Sequence, residues 1–212
     1  MAAEVGTTAT SALIVIDMQN DFCDDEGVHG RRGSDLRWVQ AAIAPAGELV
    51  ERARRAGVPV IFVRTHHDAW SDSAQHYLRD SPDGVLHHLA PGGWGSELYG
   101  LVAAPDDYVL TKRRYSAFFG TELDVILRNL RVERLFVAGV ATNVCVDTTV
   151  RDACMRDFDV AVVRDCVAAY TREAHEASLA NIDRHFGRVI GLDEAAKELQ
   201  VIADAQQKAP EQ

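Results

Sequence analysis

The stretch Leu135-Phe-Val-Ala-Gly-Val-Ala-Thr-Asn-Val-Cys145-Val-Asp-Thr-Thr-Val-Arg-Asp-Ala153 changes character halfway along. Leu135 to Ala138 is an apolar run without alternation, the pattern of a strand buried on both faces. Gly139 and a short polar segment interrupt it, and a helical pattern follows. A buried strand that turns directly into a helix is half of a βαβ unit and points to an α/β fold. Thr142 or Asn143 can cap the helix, which puts Cys145 in its first turn. Free N–H groups and the helix dipole favour an anion there, so a thiol at 145 is expected to ionise more readily than a free one. Taken alone, Cys145 also reads as a packing residue, the commoner fate of a free cysteine.

The same rhythm extends in both directions. Ser11-Ala-Leu-Ile-Val-Ile-Asp17 is an apolar run that ends in an acid. It reads as a central parallel strand with Asp17 at its carboxyl end, the ligand side of open α/β sheets. A turn or cap role is the plainer reading of Asp17. Leu36 to Ala56 repeats its apolar residues (Ile43, Ala46, Leu49, Val50, Ala53) at a helical period and closes at Gly57. Val58 to Val63 is a second strand. Residues 71–94 show no clean period and carry several histidines, which reads as a long active-site loop. Asp107 to Leu110 is a third strand, with Lys112 just beyond it. Thr121 caps a helix from Glu122 to Leu130.

Beyond the opening stretch, its helix runs through Arg156 and a strand covers Asp159 to Val163. Asp165 to Ala169 reads as a loop, and Thr171 caps a helix from Arg172 to Phe186. Arg188 to Ile190 is a last strand and Leu192 to Ala203 a last helix, after which the tail is expected to fray. This order predicts a three-layer α-β-α domain with a mostly parallel, roughly six-stranded sheet. One domain is expected over residues 1–212, ordered over about 11–200, with about ten loose residues at each end.

Composition narrows the function. A formal net charge of −10 argues against a sequence-independent nucleic-acid binder and against an anionic membrane as partner. No apolar run approaches the roughly 20 residues of a membrane span. The first ten residues lack the basic-then-apolar order of a secretory signal. Cys23, Cys145, Cys154 and Cys166 show no C-x-x-C spacing, which suits reduced thiols in a cytoplasm. Neither a dinucleotide fingerprint nor a phosphate loop is present.

Asp17, Lys112 and Cys145 thus fall at three strand ends on one side of the sheet. Each is weak evidence alone; a solvated basic patch is the plainer reading of Arg113 and Arg114, but not of Lys112. Together they make a nucleophile, a base and a cation that stabilises charge. At this point the sequence resembles the isochorismatase-like cysteine hydrolases, over about Ser11 to Asp193. The resemblance rests on Ala12-Leu-Ile-Val-Ile-Asp17-Met-Gln-Asn-Asp-Phe22, on Thr111-Lys112, and on Gly139-Val-Ala-Thr-Asn-Val-Cys145-Val with Thr149 and Arg151-Asp-Ala. It implies a catalytic triad of Asp17, Lys112 and Cys145. It also implies a non-proline cis bond at Val140–Ala141, and an oxyanion hole from the N–H groups of Ala141 and Cys145.

Within the family, Lys112 to Asp124 and Gly93-Trp94 look most like ureidoacrylate amidohydrolases, with N-carbamoylsarcosine amidohydrolases and biuret hydrolases also similar. The implied reaction is cleavage of a C–N bond of a small carbamoyl, ureido or amide substrate through a thioester, with release of ammonia. Asn20 and Tyr115 are candidates to hydrogen-bond the substrate. Phe22, Trp94 and Phe118 (or Phe119) are candidate walls, with core packing as the alternative for Phe118 and Phe119.

Two other activities occur in the family. A nicotinamidase would carry a metal in a D-x-H…H pattern, but Arg64-Thr-His-His-Asp68 lacks the acid two residues before a histidine. His66, His67, Asp68 and His76 could still be bent into a site, but surface or lid histidines are the plainer reading, so no metal and no cofactor is expected. A vinyl-ether hydrolase of the isochorismatase type does not depend on the cysteine, and the intact context of Cys145 argues against it. Family habit also implies a homodimer or homotetramer.

Overall fold

Every residue of β1 (Ser11–Ile16) is buried, and the rest of the chain is layered on its two faces. The computed structural model describes residues 10–72 and 88–208. The other strands are β2 (Val60–Thr65), β3 (Tyr108–Lys112), β4 (Arg134–Val140), β5 (Asp159–Ala168) and β6 (Arg188–Ile190). They form one six-stranded sheet in the order β3-β2-β1-β4-β5-β6, with every pairing parallel. The helices are α1 (Asn20–Cys23), α2 (Val28–Arg31), α3 (Arg37–Ala41), α4 (Ile43–Arg55), α5 (Leu123–Asn129), α6 (Asp147–Cys154), α7 (Arg172–His185) and α8 (Leu192–Lys208).

Alternation along the strands divides the core. Leu13 and Val15 pack with Leu49 and Ala53 of α4 and with Leu199 of α8. Ala12, Ile14 and Ile16 point the other way, to Leu127 of α5, Val150 of α6 and Leu179 and Ile182 of α7. Helices therefore cover both faces, as a sheet of unalternating apolar strands requires. The strand order reverses between β1 and β4. At such a switch point the carboxyl ends diverge and leave a crevice. Among the described residues no helix is long and apolar enough to cross a membrane.

Several elements depart from the sequence reading. The helix expected over 36–56 is broken into α3 and α4. Pro45 has no N–H for the Ala41 carbonyl and would crowd it, but is tolerated in the first turn of α4. The loop expected at Asp165 is strand: β5 continues to Ala168 past a bulge at the exposed Arg164-Asp165 pair. β2 and β3 start and end later than expected, so Lys112 is the last residue of its strand. The tail does not fray after Val201, because Ala203 and Ile202 still pack on the core and α8 runs to Lys208. Ahead of β3, Trp94–Ser96 forms a single 3₁₀ turn.

Candidate active site

Asp17 is the first residue past β1 and takes a left-handed conformation, φ +53°. Asp tolerates that region better than most residues. Its N–H stays in the ladder, donating to the Val63 carbonyl at 2.9 Å. Beside it, Gly139 of β4 has φ +132°. A Cβ there would lie 2.2 Å from the Ile16 carbonyl oxygen, so only glycine lets β4 come this close to the end of β1.

Lys112 reaches the same point from β3, two strands away. Its Nζ lies 2.7 Å from Asp17 Oδ2. It donates to Thr65 Oγ1 at 2.6 Å and to the Arg114 carbonyl at 3.1 Å, and lies 3.4 Å from Cys145 Sγ. Thr65, on the intervening β2 and in register with Lys112, donates its own hydroxyl proton to Asp17 Oδ1 at 2.8 Å. The structure thus brings together the three residues singled out in the sequence and adds a fourth, Thr65. All are buried, with relative exposures of 0% for Asp17, 1% for Lys112 and 7% for Cys145.

The residues after Asp17 hold this arrangement. The Gln19 amide accepts from the Thr65 N–H at 2.8 Å and donates to the Thr65 carbonyl at 3.0 Å and the Ser96 carbonyl at 2.9 Å. Asp21 accepts from the N–H groups of Val28 and Leu89. Asn20 donates to the Trp94 carbonyl at 2.8 Å. Gln19, Asn20 and Asp21 are therefore braces between loops.

Cys145 sits in a π-helical turn, Thr142–Val146, that precedes α6. Its first residue, Thr142, caps nothing. The Thr142 hydroxyl meets His175 Nδ1 at 2.9 Å, and its carbonyl accepts from Ser178 Oγ at 3.2 Å, so α7 holds the turn. The Val140–Ala141 peptide is cis.

The electrostatics correct the sequence expectation for the thiol. Burial pushes the Cys145 thiol up, the Lys112 ammonium draws it down by less, and the Asp17 carboxylate pushes it up again. Full burial beside a carboxylate thus outweighs the helix start and disfavours the thiolate. Burial works against the Lys112 charge too, but attraction to Asp17 and Cys145 outweighs it and holds the ammonium above its ordinary value.

A cavity of about 260 Å³ opens over the sulfur. Phe22, His29 and Tyr170 form one wall as a ring stack, with centroids 5.6 Å and 4.3 Å apart. Thr65, Lys112, Arg113, Arg114 and Tyr115 form another, and Val140, Ala141 and Cys145 form the floor. Of the expected substrate contacts, Phe22 and Tyr115 line the cavity. Asn20, Trp94 and Phe118 do not: Asn20 is turned to the Trp94 carbonyl, Trp94 is half-exposed on its turn, and Phe118 packs on Phe158 under Arg156. His29, Arg32, His88 and Tyr170 also line the cavity. No local pattern points to Tyr170, because β5 runs to Ala168, past the Val163 at which its apolar run ends.

His66, His67 and Asp68 are described, whereas His76 lies outside the described residues. His67 Nδ1 meets Asp72 Oδ1 at 2.7 Å, and Asp68 pairs with Arg113 at 3.1 Å. Among the described residues, no three His, Cys, Asp or Glu side chains converge as metal ligands.

Known proteins supply a further comparison. An isochorismatase domain model matches residues 11–194. The ureidoacrylate amidohydrolase of Methylobacterium radiotolerans is 36% identical over 196 residues, covering 85% of this chain and 76% of that protein. A cysteine hydrolase from Pseudomonas syringae pv. phaseolicola superposes with a TM-score of 0.82 at 27% identity, over 95% of this chain and 100% of its own. The N-carbamoylsarcosine amidase of Thermoplasma acidophilum gives a TM-score of 0.71 at 30% identity, over 87% of this chain and 97% of its own.

Proposed function

Because the chain belongs to the isochorismatase family and is a hydrolase of non-peptide carbon–nitrogen bonds, we propose that Cys145 is its nucleophile and a small carbamoyl, ureido or amide compound its substrate. One observation carries this reading: the Cys145 sulfur, the Lys112 ammonium and the Asp17 carboxylate meet in one buried cluster at the floor of the cavity.

The Cys145 thiol gives up its proton as it reacts. Asp17 takes that proton while sulfur attacks the planar carbonyl carbon. Lys112 stays charged throughout and holds the developing negative charge between carboxylate and sulfur. The carbonyl π electrons move to oxygen, and the oxyanion is received by the N–H groups of Ala141 and Cys145. Asp17 returns its proton to the departing nitrogen, the C–N bond breaks and ammonia leaves. Water then adds to the acyl or carbamoyl thioester, giving up a proton to Asp17. Thiol and acid or carbamate are released.

The test is ammonia release from ureidoacrylate, N-carbamoyl amino acids, biuret, nicotinamide and a few lactams. A ureide should be the best substrate, and Cys145→Ala and Asp17→Asn should each abolish turnover with the fold retained by circular dichroism. Normal activity in Cys145→Ala, or preference for nicotinamide over every ureide, would overturn the reading.

A further inference from the structure

We infer that Thr65 is a positioning residue: its hydroxyl occupies one oxygen of Asp17, so that the other, Oδ2, is the one that takes the thiol proton. This rests on the function proposed above and deepens it, by saying which atom is the base and what keeps it so.

The directions of the hydrogen bonds around Thr65 are forced. An ammonium can only donate, so Thr65 Oγ1 accepts from Lys112 Nζ at 2.6 Å. A hydroxyl has a single proton, and that of Thr65 goes to Asp17 Oδ1 at 2.8 Å. Oδ2 is the contrasting case. It is buried and lies 2.7 Å from the Lys112 ammonium, and no other donor satisfies it among the described residues. The Cys145 thiol shares a hydrogen bond with the Asp17 carboxylate, and Oδ2 is the oxygen with a lone pair to give it.

The Thr65 hydroxyl is fixed from its own backbone outward. Thr65 is in register with Lys112 across β2 and β3. The Gln19 amide clamps it on both sides, accepting from its N–H at 2.8 Å and donating to its carbonyl at 3.0 Å. The residue is buried, and a β-branched side chain has few rotamers to choose from. The other titratable groups that face Asp17 are Lys112 from β3, Cys145 from the π-helical turn, Cys23 from α1 and Tyr170 beyond β5. Of these only Lys112 is basic.

One oxygen must do both proton transfers. The S–H bond of Cys145 breaks as an Oδ2–H bond forms, and the same oxygen later hands that proton to the departing nitrogen. A proton on Oδ1 would face Thr65 instead of the sulfur. Holding Oδ1 on a neutral donor keeps the carboxyl group from turning over between the two transfers.

The wild type, Thr65→Val and Thr65→Ser test this. Valine keeps the branched shape without the hydroxyl, and serine keeps the hydroxyl. Thr65→Val should lower kcat on the best ureide about 30-fold, the worth of one hydrogen bond to a charged group, with KM little changed. The acid limb of its kcat/KM profile should move up by about one pH unit, because a carboxylate that loses a donor binds protons more tightly. Thr65→Ser should return most of the rate and the wild-type limb. The pH dependence of Cys145 alkylation by iodoacetamide, read by mass spectrometry against Cys145→Ala, should shift in the same direction with no substrate present. Wild-type rates in Thr65→Val, a slower Thr65→Val whose acid limb has not moved, or a Thr65→Ser as impaired as Thr65→Val would overturn the inference. Should Thr65→Val not fold, Thr65→Ala removes the same hydroxyl and takes its place. A wild type that releases no ammonia from any ureide would sink the function proposed above, and the alkylation profile would still decide for Thr65.

Discussion

Replacing Lys112 by Met removes a buried charge while keeping most of the volume. The ammonium is 1% exposed and lies 2.7 Å from a carboxylate that is 0% exposed. Breaking such a pair strands the remaining charge, and the usual cost is about 3–5 kcal/mol. For a chain of this size each kcal/mol moves the melting temperature by roughly 2–4 °C, so Lys112→Met should melt about 6–20 °C lower. The double variant Asp17→Asn/Lys112→Met should recover most of that loss, since a neutral, well-packed replacement of an ion pair is often harmless. Calorimetry and urea unfolding of the four proteins give the coupling directly. A single variant as stable as the wild type, or a double variant as weak as the two losses summed, would refute the reasoning. The wild type should show the matching pH signature. The folded-state pKa of Lys112 is raised, so its contribution is complete below the ordinary value of 10.5 and fades as pH climbs past it through the folded value.

Three further outcomes follow from the geometry. Gly139→Ala should cost about 3–5 kcal/mol and abolish turnover, because the added Cβ meets backbone 2.2 Å away at a φ of +132°; unchanged melting and activity would contradict this. Gln19→Glu keeps an acceptor for the Thr65 N–H but loses both donated bonds, so urea unfolding should show a loss of about 2–4 kcal/mol. Burial holds the His175 imidazole below its ordinary value of 6.5, with Arg164 helping and Glu176 opposing. Its contribution is then complete above pH 6.5 and declines as pH falls below it toward the folded value, because the unfolded chain takes up the proton first. The slope of stability against pH in that window should be shallower in His175→Gln.

The parts of the site that were legible in the sequence are those fixed by local pattern. Apolar runs that stop at Asp17 and before Lys112 mark strand ends, and the switch from strand to helix marks the turn of Cys145. What escaped depends on contacts between distant segments. Gln19 and Thr65 are 46 positions apart and meet only because β1 and β2 are neighbours. Arg164-Asp165 looked like the end of a strand because a bulge lets two polar residues face solvent in mid-sheet. Asn20, Trp94 and Phe118 were assigned to the substrate by type, whereas loop bracing and core packing claim them. The upward push on the Cys145 thiol is the least readable feature, since burial is a property of the whole fold.

An ammonium has three hydrogens. Lys112 has four neighbours able to take one: Asp17 Oδ2, Thr65 Oγ1, the Arg114 carbonyl and Cys145 Sγ. One of them must always go short, and the –NH₃⁺ group is a rotor with more stations than contacts. In the proposed mechanism, once the thiol proton has passed to Asp17, the carboxylate no longer claims a hydrogen so strongly and the sulfur does. A small turn about the Cε–Nζ bond then serves the new anion, with no heavy atom displaced. Built into the resting site is a shortage of one hydrogen bond, which moves to whichever group has just been neutralised.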